Sequence, residues 1–116
     1  MAETRAAIRM DVVASVDDLR VVVLDLDEGQ RVPWHHHSEI TDHFICMAGP
    51  MTISMRDPVD VVRLEAGDSW TVAPKRPHEV MGENGRACKF AIVQGVGVYD
   101  YVRDDSPLSK EMGKER

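Results

Sequence analysis

Turn signals divide the sequence into many short strand-like runs, and this feature most restricts the fold. The runs, most of them rich in Val, Ile, Leu, Met and aromatic residues, span 19–27, 34–37, 42–49, 51–55, 59–64, 69–73, 78–82 and 87–95. Clusters of Gly, Pro, Asn and Asp separate them, and these residues supply the backbone angles of turns. No window in this region has the period of about 3.6 residues that is typical of an amphipathic helix. The sequence therefore predicts an all-β sandwich or barrel.

The length of the chain and its charge restrict the remaining possibilities. A chain of 116 residues can bury one hydrophobic core but not two, so we expect a single domain over 1–116. Its barrel core is predicted at about 19–95, with 1–10 and 104–116 peripheral because they are charged and lack a strand pattern. A formal net charge of −6 argues against binding to nucleic acid or anionic membranes, since both need a basic surface.

Targeting signals and cysteines bear on the compartment. The first residues lack the apolar segment of a signal peptide. No apolar run approaches the ~18 residues of a membrane span. The two cysteines, Cys46 and Cys88, do not form a disulfide framework. We therefore expect a cytoplasmic protein without a membrane or nucleic-acid partner.

Four of the five histidines lie within a stretch of nine residues, 35–43. Side chains of a strand alternate between its two faces, so His35 and His37 are predicted on one face and His36 on the other. In the next strand, Asp42 shares a face with Phe44 and Cys46, whereas His43 lies on the opposite face. The fifth histidine, His78, begins a distant strand. Two histidines on one face, a carboxylate and a distant histidine form a plausible set of metal ligands.

At these positions the sequence resembles the cupin family. The first cupin motif, G-x5-H-x-H-x3,4-E-x6-G, is matched by Gly29, His35, His37, Asp42 and Gly49, with Asp in place of Glu. The second motif, G-x5-P-x-G-x2-H-x3-N, is matched only by Gly67 and His78. Ala73, Lys75 and Gly82 stand where the motif has Pro, Gly and Asn.

The resemblance implies a double-stranded β-helix, or jelly-roll barrel, that holds one divalent transition metal, which could be Fe, Mn, Ni, Zn or Cu. It places His35, His37 and His78 as imidazole ligands and Asp42 at the carboxylate position. Asp is one methylene shorter than Glu. Asp42 is therefore either the fourth ligand or a catalytic acid/base that acts through a bound water.

Other side chains near these positions are candidates for a substrate pocket. The predicted set is Trp34, Phe44, Cys46, Trp70 and Lys75. Each has a structural alternative: barrel packing for the aromatic residues, a small buried hydrophobic residue for Cys46, and a solvated loop charge for Lys75. The segment 99–102 either closes over the mouth of the barrel or packs against it.

Two classes of function are consistent with these features. The first is a metalloenzyme that acts on a small polar or carbonyl-containing metabolite, as an isomerase, lyase, cyclase or dioxygenase. The second is a metal-stabilised module that binds or senses a small molecule without turnover. Regulatory cupins usually carry a DNA-binding domain, for which this chain has no room, so the enzyme is favoured. Because jelly-roll edges need protection, we also predict a homodimer.

Overall fold

The computed structural model describes residues 7–104 as an almost entirely β structure. Its strands are β1 (Arg9–Val16), β2 (Leu19–Leu26), β3 (Arg31–His36), β4 (Thr41–Ala48), β5 (Met51–Met55), β6 (Asp60–Leu64), β7 (Ser69–Val72), β8 (His78–Gly82), β9 (Cys88–Gly95) and β10 (Val102–Arg103). Within this part of the chain the one helical element is a 3-10 turn at Glu83–Gly85. No helix among residues 7–104 has the length and apolarity needed to cross a membrane. The predicted all-β class is confirmed.

The strands form two five-stranded antiparallel sheets. The first has the order β1-β2-β9-β4-β7, and the second has the order β10-β3-β8-β5-β6. Both sheets therefore combine strands that are distant in sequence, as a jelly roll requires. Buried and partly buried positions alternate regularly along β5, β9 and most of β4, so one face of each strand lines the interior between the sheets.

A continuous apolar core fills the space between the sheets. Its fully buried members include Phe44, Met51, Ile53 and Phe90, none of which exposes more than 1% of its surface. The core extends from β2 to β9 and across to β5 and β8. The histidine-rich segment lies beside this core, so the site is built on packed strands rather than on a loose loop.

Two strands were missed by the sequence analysis. The first is β1, which begins inside the segment 1–10 that was predicted to be peripheral. Every residue of β1 is exposed, so its sequence carries no buried alternation that would reveal a strand. The second is the two-residue β10, which pairs with β3 through Val102 and Arg103. The rest of the predicted termini, 1–6 and 105–116, lie outside the described residues.

Backbone angles explain two motif positions. Gly29 and Gly67 adopt φ of +82° and +95°, a region that L side chains rarely adopt. Lys75 stands at the position where the second motif has glycine, and it adopts φ of 72°. The turn before His78 therefore has a positive φ at this position although the residue there is not glycine.

Candidate metal centre

Strand β3 and the residue after it deliver two histidines to the interior. His35 and His37 expose only 3% of their surface each, whereas His36 between them is more exposed. A register shift between Val32 and His35 interrupts the pairing of β3 with β8. Residues three apart in a regular strand point to opposite faces. Because of this irregularity, Val32 and His35 instead line the same cavity.

Strands β4 and β8 supply the other two members of the cluster. Asp42 alternates inward with Phe44 on β4, and each exposes 1% of its surface. His78 begins β8 and is the register partner of His35 on β3. The cluster thus spans the two sheets, since β4 belongs to one and β3 and β8 belong to the other.

The four side chains meet at one point. One ligand atom from each of His35, His37, Asp42 and His78 lies within 4.8 Å of the others. Asp42 Oδ2 lies 3.0 Å from His37 Nε2 and 2.9 Å from His78 Nε2. The His35 ring centroid lies 4.3 Å from that of His78 and 4.9 Å from that of His37. The structure thus brings together all four residues that the motif spacing predicted.

Main-chain carbonyls fix the orientation of all three imidazoles. The Nδ1 atoms face the carbonyl oxygens of Pro33 for His35 (2.7 Å), Asp100 for His37 (2.5 Å) and Arg76 for His78 (2.8 Å). A carbonyl only accepts hydrogen bonds, so Nδ1 carries the hydrogen in each ring. The lone pair of a neutral ring is then on Nε2, which is the arrangement that metal-ligating histidines adopt.

The electrostatics of the cluster separate the roles of its members. Burial lowers the pKa of His35 to about 4, and the neighbouring His78 contributes in the same direction. Burial also opposes a charge on His37, but the hydrogen bond to Asp42 and the charge of Asp42, together with the contributions of Asp100, outweigh burial and raise the pKa of His37. Burial disfavours the charged form of Asp42, yet hydrogen bonds from His37 and His78 hold its pKa well below the usual range. The site is therefore built around an ionised carboxylate.

A row of polar side chains extends from Asp42 across the first sheet. Asp42 pairs in register with Gln94 on β9, and Gln94 pairs in register with Arg20 on β2. Gln94 Nε2 donates to Asp42 Oδ1 over 3.1 Å, and Arg20 Nε donates to Gln94 Oε1 over 2.5 Å. Arg20 and Gln94 were not predicted as site residues from the sequence. Their one signal in the sequence is that each is a polar residue at the end of a series in which every second residue is apolar. Arg20 precedes the apolar positions 22, 24 and 26, and Gln94 follows the apolar positions 88, 90 and 92.

The segment 99–101 closes one side of the site. The Asp100 carbonyl accepts the hydrogen bond from His37 Nδ1, and the Asp100 carboxylate accepts hydrogen bonds from the Ser38 amide and hydroxyl. The Tyr101 ring stacks on His35 with centroids 4.5 Å apart. This segment therefore lies against the cluster, and Tyr99 and Tyr101 line the cavity beside it.

The cavity at the cluster has a volume of about 90 Å³. His35, His37 and Asp42 form its polar end, and most of its wall is apolar, including Val22, Leu24, Val32, Val80 and Ile92. One water needs roughly 10–15 Å³ by this kind of measure, so the space suits roughly six waters or one compact ligand.

The predicted pocket aromatics have different surroundings. Phe44 lines this cavity, and Trp34 and Trp70 are not among its lining residues. Trp34 packs its ring under the Arg56 guanidinium at 3.9 Å. Trp70 Nε1 faces Met55 Sδ at 3.3 Å. Trp34 alternates with the inward His35 on β3, whereas Trp70 shares the inward face of β7 with Val72 and packs against the apolar core.

Cys46 and Lys75 also lie apart from the lining of this cavity. Cys46 is buried in the apolar core and exposes 1% of its surface, and burial raises the pKa of its thiol. Lys75 is exposed, and its amide donates to the His37 carbonyl over 2.7 Å. Lys75 thus contacts the histidine segment through its backbone.

The two remaining histidines face outward, as the alternation predicts. His36 Nδ1 lies 2.7 Å from Asp104 Oδ2, and His43 Nδ1 lies 2.6 Å from Thr71 Oγ1. Neither belongs to the buried cluster. They are therefore natural controls for the roles of His35 and His37.

Comparison with known proteins identifies the type of domain. A family model described as the cupin domain matches residues 22–104. No curated protein matches the sequence. A solved structure of an uncharacterised protein with a double-stranded β-helix domain from Klebsiella pneumoniae superposes with a TM-score of 0.73 at 23% identity, covering 87% of each chain.

Two further solved structures share the fold. KdgF from a Halomonas species aligns with a TM-score of 0.64 at 18% identity, over 76% of this chain and 78% of that protein. The DMSP lyase DddQ from Ruegeria pomeroyi aligns with a TM-score of 0.66 at 17% identity, over 76% of this chain but 46% of the lyase. At these identities the likeness is one of fold.

Proposed function

The chain belongs to the cupin family, and from that premise we propose that it is a mononuclear metalloenzyme acting on a small polar or carbonyl-containing metabolite. The reaction types that fit are isomerisation, elimination, cyclisation and dioxygenation. A small barrel with one interior cavity suits a compact substrate.

The convergence of three imidazoles and one carboxylate carries this proposal. With each Nδ1 held by a carbonyl, the Nε2 atoms of His37 and His78 both face Asp42 Oδ2. Two lone-pair nitrogens and a carboxylate oxygen in contact repel one another unless a proton or a metal ion lies between them. Imidazole and carboxylate donors together suit Fe, Mn, Ni, Zn or Cu, so the residues fit the group that the family implies.

The residues of the chain would divide the work as follows. His35, His37 and His78 hold the ion, and a divalent ion in this position supplies Lewis acidity or a redox centre. Asp42 either completes the ligand set or accepts a proton at Oδ2, while Gln94 holds Oδ1. The apolar walls of the cavity limit the entry of water and so strengthen these electrostatic interactions.

Metal analysis of the untagged protein tests the site. About one equivalent of metal per chain is expected by ICP-MS in the wild type, with loss in His35→Ala, His37→Ala and His78→Ala. The matched controls are His36→Ala and His43→Ala, which remove outward histidines of the same segment and are expected to keep the metal. A wild type that holds no metal even after reconstitution with each candidate ion would overturn the proposal.

A binding or sensing module without turnover is the second candidate. Its support is the small size of the cavity and the complete pairing of the buried polar atoms in residues 7–104, which suit a stable binding site. The enzyme is favoured because the cluster adjoins a cavity that leaves room for a substrate, whereas a purely structural metal site is normally closed. Asp42→Asn separates the two: an enzyme keeps the metal but loses turnover of a substrate found by NMR screening, whereas unchanged turnover removes the catalytic role of Asp42.

The proposal includes a homodimer formed through the edge of the first sheet. Strand β1 lies at that edge, and it exposes Val12, Val13 and Val16 by 47%, 59% and 66%. An exposed apolar edge strand is a template for pairing with another chain. A second copy that pairs at this edge would cover these valines through a symmetric contact.

A further inference from the structure

An arginine occupies an inward position at the start of β2. Arg20 precedes Val22, Leu24 and Leu26 on the same face of the strand, and those three residues are buried in the core. Arginine rarely occupies such a position unless its charge is compensated. Arg20 therefore needs an explanation that packing of the barrel does not provide.

The contacts of Arg20 leave part of its guanidinium available. Nε donates to Gln94 Oε1 over 2.5 Å, and the guanidinium carbon lies 3.9 Å from the centre of the Tyr99 ring. One terminal nitrogen, Nη2, faces Met10 Sδ at 4.0 Å, a weak acceptor. Among residues 7–104 no carboxylate forms an ion pair with Arg20.

Arg20 lies where the interior cavity meets a groove on the surface. It lines the cavity of about 90 Å³ that contains His35, His37 and Asp42. It also lines a neighbouring groove of about 280 Å³, together with Gln94 and Tyr99. An anion can therefore reach the guanidinium from solvent while the rest of the same molecule enters the cavity.

The distance between Arg20 and the cluster limits the size of such a molecule. The single carboxamide of Gln94 bridges Arg20 Nε and Asp42 Oδ1, with hydrogen bonds of 2.5 Å and 3.1 Å. The two charged ends of the polar row are thus separated by one amide group. A molecule of only a few carbon atoms can contact both ends.

We propose that Arg20 binds the carboxylate group of a small carboxylic acid whose other end lies at the His-Asp cluster. The planar guanidinium matches a planar carboxylate through two parallel hydrogen bonds, and its two Nη atoms remain for this purpose when Nε bonds Gln94. The apolar wall formed by Val22, Phe44 and Ile92 accommodates the carbon skeleton. Naming this acid as a substrate rests on the proposed function, whereas binding of its carboxylate by Arg20 does not.

Gln94 is the positioning residue of this arrangement. Its amide oxygen accepts from Arg20 and its amide nitrogen donates to Asp42, so one orientation of the amide satisfies both neighbours. The alternative is that Arg20 only orients Gln94 and binds no ligand. The two roles differ in the response to an added carboxylate, and this difference is the basis of the test.

NMR titration of ¹⁵N-labelled protein tests the proposal in the metal-free and the zinc-loaded states. The probes are isobutyrate, the uncharged isobutyramide and inorganic phosphate. Isobutyrate is expected to shift the Arg20 Nε–H resonance and to bind about tenfold or more tightly than isobutyramide in both states. Arg20→Gln is expected to weaken isobutyrate binding about tenfold, Arg20→Lys by less, and the exposed-arginine control Arg86→Gln not at all.

Several results would overturn the proposal. These are equal affinity for isobutyrate and isobutyramide, unchanged isobutyrate affinity in Arg20→Gln, tighter binding of phosphate than of isobutyrate, or no isobutyrate binding in either state. If Arg20→Gln does not fold, the Arg20→Lys variant and the comparison of isobutyrate with isobutyramide in the wild type still test whether Arg20 binds a carboxylate. Since the metal-free arm needs no metal, a failure here is distinct from a failure to bind metal.

Discussion

Gln94 on β9 lies directly opposite Asp42 on β4, and its side-chain amide holds Asp42 Oδ1 while Oδ2 faces two histidines. Both residues are buried, with exposures of 4% and 1%. The carboxylate is therefore oriented from both sides. An outer contact of this kind normally affects how well the inner residues bind metal.

Gln94→Leu is expected to weaken zinc binding by between about 10-fold and 100-fold, because it removes the donor that orients the Asp42 carboxylate. Competition with a chromophoric chelator measures the change. The matched control is Gln30→Leu, which alters the other glutamine of the chain, also buried, whose side chain accepts from the Asp27 amide instead. Equal zinc affinities in Gln94→Leu and the wild type would show that Gln94 does not orient the ligand.

The stability of the metal-free protein is expected to fall as the pH decreases from 6.5 to 4. Burial lowers the pKa of His35 to about 4, so the unfolded chain binds a proton in this range that the folded chain does not. Around pH 5, His37, with a raised pKa, and Asp42, with a lowered pKa, contribute little slope, because there each has nearly the same charge in the folded and the unfolded chain. The expected loss from His35 is on the order of 2 kcal/mol.

Urea unfolding in the presence of a chelator, at pH values between 4 and 6.5, measures this loss. His35→Gln removes the titrating group, so its unfolding free energy should depend less on pH by that amount. Parallel pH profiles for the wild type and His35→Gln would contradict the prediction.

Zinc affinity is expected to increase with pH up to the raised pKa of His37. Below that pKa the metal-free cluster carries a proton on His37, stabilised by Asp42, and the metal must displace it. Calorimetry at neutral pH, in buffers that differ in ionisation enthalpy, counts the protons released. Asp42→Asn removes the charge that raises the pKa of His37, so this variant should release fewer protons than the wild type; equal release would exclude this coupling.

The chain of 13.0 kDa is expected to behave in light scattering as a particle of twice that mass. Val13→Arg should convert it to a monomer, because it places a charge on the exposed β1 edge. The control is Val59→Arg, since Val59 is 82% exposed but lies in the turn between β5 and β6. A wild type that scatters as a single chain, or a Val13→Arg variant that remains dimeric, would reject this interface.

Local patterns in the sequence were sufficient to predict the strands between residues 19 and 95 and the direction in which each histidine side chain points. Alternation along β4 placed Asp42 and Phe44 inside and His43 outside, because the side-chain direction in a strand depends only on the neighbouring residues. The two glycines that adopt positive φ, Gly29 and Gly67, mark turns for an equally local reason. Strand β1 was missed because its exposed residues carry no such pattern.

Only the tertiary structure showed that Arg20 and Gln94 extend the site beyond the predicted cluster. Arg20, Gln94 and Asp42 are separated by long stretches of sequence and meet because β2, β9 and β4 are neighbours in one sheet with a particular register. The bulge in β3 and the return of segment 99–101 over His37 are likewise set by pairing and packing between strands. Such contacts depend on the whole fold, whereas the histidine motif depends on a single strand and the turn after it.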